Sequence, residues 1–436
     1  MSTDSPSIPP RAPRAALLTT LALLYTAQGI PFGFASEYLP VLLREAHYSR
    51  TQISAVFWLQ LPWQLKVFWA HLPDRPHIRP RAREILLALQ IALALLVVAY
   101  APFDIRVAPA PWFAITAFCA LVAATQDTFV DGLAVRALGQ EDRGLGNVAQ
   151  VAGYRLGILA GGAGLLLVVD WIGQPLTLVS CASVIAFAGL GAFLLRDAHA
   201  EERRVEVPQG PALYREGAEA NRSARHRVVK HIVALLRHVW DPKARPVVLV
   251  AVLYKLGPHI AGTLIKPMVV DAHWTRREIG WAVVTVGTAA GLIGAACGGF
   301  VHRVLRDRKA LIAGAVTHAL SIVPLVAASV MGVPRTLTIV AIASEHFASG
   351  LGTTVLFAAL MTATRRSDAA LHYTLLTSLN ALAIGLGGLL GGALGDTLHE
   401  MPTFVIALGV SLVPIALLAK WDEAADASRA EPTALL

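Results

Sequence analysis

The sequence predicts an all-α integral membrane protein, with about twelve membrane-crossing helices arranged as two six-helix halves. Three observations predict it. Of the 436 residues, 55% are hydrophobic and only 15% are charged, a balance too apolar for a soluble fold. Apolar runs of about 20 residues, the length that crosses a bilayer as a helix, recur from end to end. Basic residues collect in every second connection: Arg11 and Arg14, then Arg75 to Arg83, Arg136 and Arg143, Arg196 to Arg245, Arg303 to Lys309, and Arg365 with Arg366. By the positive-inside rule both termini are expected in the cytoplasm, and an even number of spans, which puts both termini on one side, agrees. The net charge of +8 is therefore a membrane signal, and no nucleic-acid partner is expected.

Taken in order, the spans fall at residues 15–43, 53–71, 85–103, 112–138, 147–169, 176–195, 247–270, 279–304, 310–330, 336–363, 371–394 and 403–419. The first run exceeds a signal-peptide core and is read as retained. Residues 1–14 are rich in Ser and Pro and are expected to be disordered, and 421–436 form a polar cytoplasmic tail. The first half covers 15–195 and the second 246–420. A cytoplasmic loop, 196–245, joins them. Within it, 226–240 alternates basic and apolar residues at helical spacing, as a surface-lying amphipathic helix or a solvated linker helix would. Cys119, Cys181 and Cys297 all fall within spans and read as small core residues rather than a disulfide set.

The halves resemble one another. Span one carries Tyr25 followed by Gln28-Gly29-Ile30-Pro31, and span seven carries Tyr254 followed by Gly257-Pro258-His259. Gly and Pro at such positions break a spanning helix and free backbone groups to line a cavity. Asp74-Arg75 follows span two, and Arg306-Asp307-Arg308 follows span eight. Six plus six spans, a basic central loop and charged turns at matching places are the layout of the major facilitator fold, in which two halves rock about a central site.

Charges inside spans mark candidate sites, because an ionised group in a bilayer costs several kcal/mol or more. Asp127 and Asp131 lie four residues apart on one face of span four. Helix rise puts Asp127 about 14 Å from the cytoplasmic end and Arg155 of span five roughly 12 Å from it. Matching depths predict that Arg155 pairs with Asp127 or shares both carboxylates, either as a structural lock or as a substrate or proton site. Glu345 in span ten, the counterpart of span four, is the first choice for proton coupling, with Asp127 and Asp131 beside it in that role. A hydrogen-bonded contact between helices is the plainer reading of Glu345, as backbone-bonded packing is of His346. Lys255 in span seven, about 13 Å deep, suits an anionic solute or an acidic partner, Glu345 or Asp127. Gln28, Gln126 and Tyr154 are further candidate substrate contacts. Lys66 and Lys266 lie near span ends, from which they can snorkel to the interface. Asp74 and Arg75 in the turn after span two, with Arg143, are candidate gating residues.

No nucleotide-binding loop, metal-ligand cluster or nucleophile arrangement is present, so neither an enzyme nor a cofactor is expected. The run Gly387-Gly388-Leu389-Leu390-Gly391-Gly392 lies inside span eleven and reads as small-residue helix packing.

At this point the residues resemble a known group. Gln28-Gly-Ile-Pro-Phe-Gly33, Pro62-Trp-Gln-Leu-Lys66 with Asp74-Arg75, Ala124-Thr-Gln-Asp127 with Asp131-Gly132, Gly153-Tyr-Arg-Leu-Gly157, Tyr254-Lys-Leu-Gly257, Glu345 with Gly350-Leu-Gly-Thr353, and Tyr373-Thr-Leu-Leu376 look like the AmpG-related branch of the major facilitator superfamily. That branch includes muropeptide permeases, acetyl-CoA transporters and siderophore importers of the RhtX/FptX type. Asp131-Gly-Leu-Ala-Val135 and Arg143-Gly-Leu-Gly-Asn147 with Gln150-Val151 look most like the siderophore importers, as does the compact length. His71-Leu-Pro73 and Gly257-Pro258-His259 depart from the branch pattern, the second where an acidic residue often follows the glycine. The resemblance implies a monomeric secondary transporter of the bacterial inner membrane, importing an iron–siderophore with protons. A muropeptide-like sugar-peptide is the alternative cargo and an acyl-CoA-type anion a third. A membrane sensor or scaffold on the same fold is the reading from another class.

Overall fold

A computed structural model describes residues 14–69, 72–75, 77–137, 143–189, 245–362 and 369–419, and all of the regular structure among them is helical. Most of the expected central loop, including its amphipathic stretch at 226–240, and the expected terminal tails lie outside these residues. The chain forms two compact units, Met1–Leu42 with Trp58–Val207, and Leu43–Phe57 with Pro208–Leu436. Residues 43–57, though early in the chain, group with the second, C-terminal unit.

Among the described residues, nine helical stretches are long and apolar enough to cross a membrane. One of them, Ala152–Gly189, carries two predicted spans, and the conformation inside it explains why. Gly173 sits at φ +76°, which a residue with a side chain rarely adopts, and Pro175 follows it. The helix turns there. Span two is not one continuous α-helix: it runs as α-helix Arg50–Ala55, a 3-10 stretch Val56–Gln60, α-helix Leu61–Leu65 and a 3-10 turn Lys66–Phe68. Pro62 has no N–H to give, so it opens the third piece instead of continuing the first. Span three, Ala82–Val98, is shorter than its apolar run. Spans eight and nine share one unbroken helix, Gly287–Val330. The charged turn expected at Arg306-Asp307-Arg308 is therefore helical, a correction: it contains no Gly or Pro to break the backbone ladder.

In the N-terminal unit, helix α1 (Arg14–Gly33) passes Pro31 and continues through a π-helical turn, Phe34–Tyr38, into α2 (Leu39–Glu45). A π-turn is one way a helix absorbs the missing hydrogen bond and the ring of a proline. Helix α7 (Arg143–Leu159) lies along α1 on a stripe of glycines. A Cβ on Gly157 would lie 2.7 Å from the Gly29 Cα, so only glycine lets these backbones approach so closely. Tyr25, Leu21, Leu24, Leu86, Phe129 and Val130 form the core beside α6 (Pro109–Ala137). In the C-terminal unit, span seven is interrupted as the sequence predicts, ending at Leu253 and restarting at Leu256. Tyr254, Leu311, Leu351, Val355 and Leu376 pack the core next to the break. Phe118, Phe187, Phe300 and Leu320 stay exposed on the helices, as expected of side chains facing lipid rather than water.

The segment 43–57 is held within the C-terminal unit by charge. Arg44 makes a bidentate pair with Asp271 (Nε–Oδ1 and Nη2–Oδ2, both 2.6 Å). Arg50 bonds both Asp271, at 2.9 Å, and Glu400. Asp396 accepts from the Arg50 and Thr51 amides and the Thr51 hydroxyl at 2.7–2.9 Å, placing a carboxylate at the start of the Arg50–Ala55 helix. Glu45 pairs with Arg276 at 2.6 Å.

Candidate functional site

The N-terminal unit contains an acidic cluster on α6. Asp127 and Asp131 occupy one face, as the four-residue spacing predicts. The cation that meets them is Lys66, at the start of the 3-10 turn that ends span two. Its ammonium pairs with Asp127 and lies 3.8 Å from Asp131 Oδ2. Tyr25 on α1 donates its hydroxyl to Asp131 Oδ1 at 2.8 Å, and Gln150 on α7 reaches the same oxygen at 3.4 Å. One cation and two neutral donors thus hold two carboxylates. If all three charged groups are ionised, the cluster carries one net negative charge.

The predicted Asp127–Arg155 pair is not formed, and among the described residues Arg155 joins no ion pair. Depth was matched, but the direction of the side chain around the helix was not. Gly153, Gly157 and Gly161 fix which face of α7 meets α1. Arg155 lies two residues from Gly153 and Gly157, about 200° around the helix, and so points away from that contact. Lys66 was read from sequence as a snorkelling residue; the structure makes it the ion-pair partner. One sequence signal was available: Lys66 is the single lysine before residue 230 in a chain that otherwise uses arginine there.

Gln126 is buried and donates to Gln90, whose own amide donates to the Ile185 carbonyl at 2.5 Å. It joins helices instead of standing beside Asp127. Gln28 differs. It is 0% exposed, and neither amide atom has a hydrogen-bond partner among the described residues. A buried amide in this condition is costly unless something else satisfies it. Tyr154 lies against Phe32, with ring centroids 5.8 Å apart, one turn of α1 from Gln28. Asp74 ends a short 3-10 turn, Leu72–Asp74, and the Arg75 amide donates to the Leu72 carbonyl at 3.1 Å. Arg143 opens α7.

The C-terminal unit contains a second cluster, of different make-up. Lys255 sits at the break in span seven and is 3% exposed. Its ammonium donates to the Thr353 hydroxyl at 2.5 Å and to the Ser349 carbonyl and hydroxyl at 3.2 and 3.3 Å. Among the described residues no carboxylate is within ion-pair distance of it, so the pairing with Glu345 considered from sequence is not made. Glu345 faces span seven, where a Cβ on Gly262 would lie 3.7 Å from its Oε1, and its Oε2 is 3.1 Å from His346 Nδ1. That same nitrogen is 2.9 Å from the Ile342 carbonyl, the backbone bond expected for His346. His259 bonds the Lys255 carbonyl at 3.0 Å. His318, which the sequence did not single out, is buried beside them. Among the described residues no cluster of three or more His, Cys, Asp or Glu is placed to hold a metal.

With this geometry in hand, the chain can be compared with known proteins. The family described as the Major Facilitator Superfamily matches residues 247–435. The anhydromuropeptide permease of Escherichia coli (strain K12) is 27% identical over 415 residues, covering 93% of this chain and 79% of that protein. A putative transporter AmpG 4 of Rickettsia conorii is 23% identical over 407 residues, covering 92% and 95%. An uncharacterized protein of Haemophilus influenzae is 26% identical over 374 residues, 84% of each. Among solved structures, a D-xylose–proton symporter superposes with a TM-score of 0.64 at 12% identity, covering 93% of this chain and 97% of that one. A bacterial homolog of the human lysosomal transporter Spinster gives 0.65 at 14% identity, covering 93% and 96%. These likenesses show the fold: the chain is built as those transporters are.

Proposed function

We propose that this chain is a multi-pass secondary transporter of the bacterial inner membrane, with cytoplasmic termini, that imports a polar, charged organic solute by alternating access driven by protons. The observation that carries this reading is the Lys66–Asp127–Asp131 cluster inside the N-terminal spans. Charged groups at that depth are expensive to keep and mark ion or substrate paths. Two carboxylates sharing one ammonium also provide a place for one proton, with Tyr25 and Gln150 tuning Asp131. Glu345 is a second candidate for proton coupling. Gln28, Tyr154, Arg155 and Lys255 are substrate contacts, with Gln126 as their support through Gln90. Asp74, Arg75 and Arg143 serve gating. The protein acts as a monomer and performs no chemistry on its cargo.

For the cargo, the similarity to an anhydromuropeptide permease and to a putative AmpG transporter over nearly the whole chain favours a sugar-peptide of the muropeptide type. The ferric siderophore expected from sequence draws no support from these relatives. It remains the second reading on the strings Asp131-Gly-Leu-Ala-Val135 and Arg143-Gly-Leu-Gly-Asn147. Uptake of each labelled solute by a deletion strain and its complemented parent, with and without an uncoupler, decides between them. Loss of sugar-peptide uptake on deletion supports the first reading, and loss of siderophore uptake alone supports the second. Uptake that ignores the uncoupler removes the proton.

A further inference from the structure

We infer that the C-terminal unit takes a carboxylate of the cargo between the Lys255 ammonium and the ring of His318. This rests on the reading of the chain as a carrier of a charged solute. Two groups converge on one turn of the helix Arg335–Thr362: an ammonium with no carboxylate partner and a ring with no hydrogen-bond partner, both among the described residues. Among the described residues, Lys255 is held there only by neutral oxygens, from Ser349 and Thr353. The acid near it among the described residues, Glu345, is engaged by His346. A buried ammonium without a counter-charge is costly, and neutral dipoles offset only part of that cost.

His318 is the second group. It is 1% exposed, and neither ring nitrogen has a partner among the described residues. Its ring stands edge-on to Tyr254, the neighbour of Lys255, with centroids 5.5 Å apart. It also lies against Gly352, on the turn that carries Ser349 and Thr353; a Cβ there would come within 2.7 Å of Nε2 and 3.0 Å of Nδ1. A carboxylate matches what is on offer. It brings one negative charge for one ammonium, and its two oxygens can accept from the ammonium and from an imidazole N–H. A phosphate dianion would leave one charge unmatched.

The test uses the full chain purified in detergent. Its probes are an anhydromuropeptide with free carboxylates and the same molecule with those carboxylates amidated. The wild type is expected to bind the acid about 10-fold or more tightly than the amide, as loss of a charge-assisted contact implies. Lys255→Met and His318→Leu should bring that ratio towards one. A ratio unchanged in both variants overturns the inference. A second readout needs no ligand. Because binding groups left unsatisfied are held at the expense of stability, each variant should raise the unfolding temperature by about 2 °C or more. A fall in both would show structural roles and overturn the inference. If the wild type takes neither probe, the sugar-peptide reading fails, and the unfolding temperatures alone then decide for or against the subsite.

Discussion

The two units handle buried charge in opposite ways. In the N-terminal unit the groups are paired: Lys66 lies against two carboxylates, and Tyr25 and Gln150 complete the shell of Asp131. In the C-terminal unit they are kept apart: Lys255 is held by Ser349 and Thr353, and Glu345 is held by His346. Pairing locks helices, because removing one partner leaves the other buried and unmatched. Separation leaves each charge able to change partners without first breaking an ion pair. The excess sign also differs, negative in the first cluster and, where Glu345 is protonated, positive in the second.

That contrast can be broken at several points. The largest effect is expected for Asp127→Asn, which strips the paired cluster of its bonded charge. Initial uptake into membrane vesicles, at matched protein levels, should fall about 100-fold, the worth of roughly 3 kcal/mol of charged hydrogen bonding. Native uptake would make the pair a brace and nothing more. Glu345→Gln should act differently, lowering uphill accumulation about 10-fold while leaving exchange of internal for external solute in place. Equal loss in both assays would take Glu345 out of proton coupling. Gly157→Ala should cost about 1–3 kcal/mol by forcing α7 off α1, where the backbones touch. Gly409→Ala, with nothing within 4 Å of the new Cβ, should be neutral or stabilising by up to about 1 kcal/mol in the same thermal unfolding series. Similar losses at the two glycines would mean that the close approach is not what holds the unit. Arg155→Ala should have the smallest effect on stability, within about 0.5 kcal/mol, since Arg155 joins no ion pair among the described residues. A loss of 3–5 kcal/mol, the signature of a broken buried pair, would restore the lock predicted from depth alone.

Much of the fold was legible in the sequence because its determinants are local. Apolar length placed α6 and the later spans to within a few residues, and Gly257-Pro258 announced the break in span seven. The turn at Gly173 lay in the gap between two predicted spans, and its positive φ accounts for it. What failed was angular. Depth along an axis follows from residue number, but the direction of a side chain depends on which face the neighbouring helix claims. Glycines far from Arg155 in function decided that face. For the same reason Asp127 was found and its partner was not. His318 was not singled out in the sequence, and only the tertiary fold shows both of its nitrogens without partners among the described residues. The ion pairs of residues 43–57 join positions 221 to 350 residues apart, beyond the reach of any periodicity.

Those pairs bear on how such a chain can be recombined. Its covalent order divides near the middle, but residues 43–57 pack with the later part. Arg44 and Arg50 are written early in the gene and read against Asp271 and Glu400, written late. A hybrid that joins the first half of this protein to the second half of a relative would separate partners that must vary together. A working exchange would need a mosaic junction, with the short 43–57 insert travelling alongside the half that follows it.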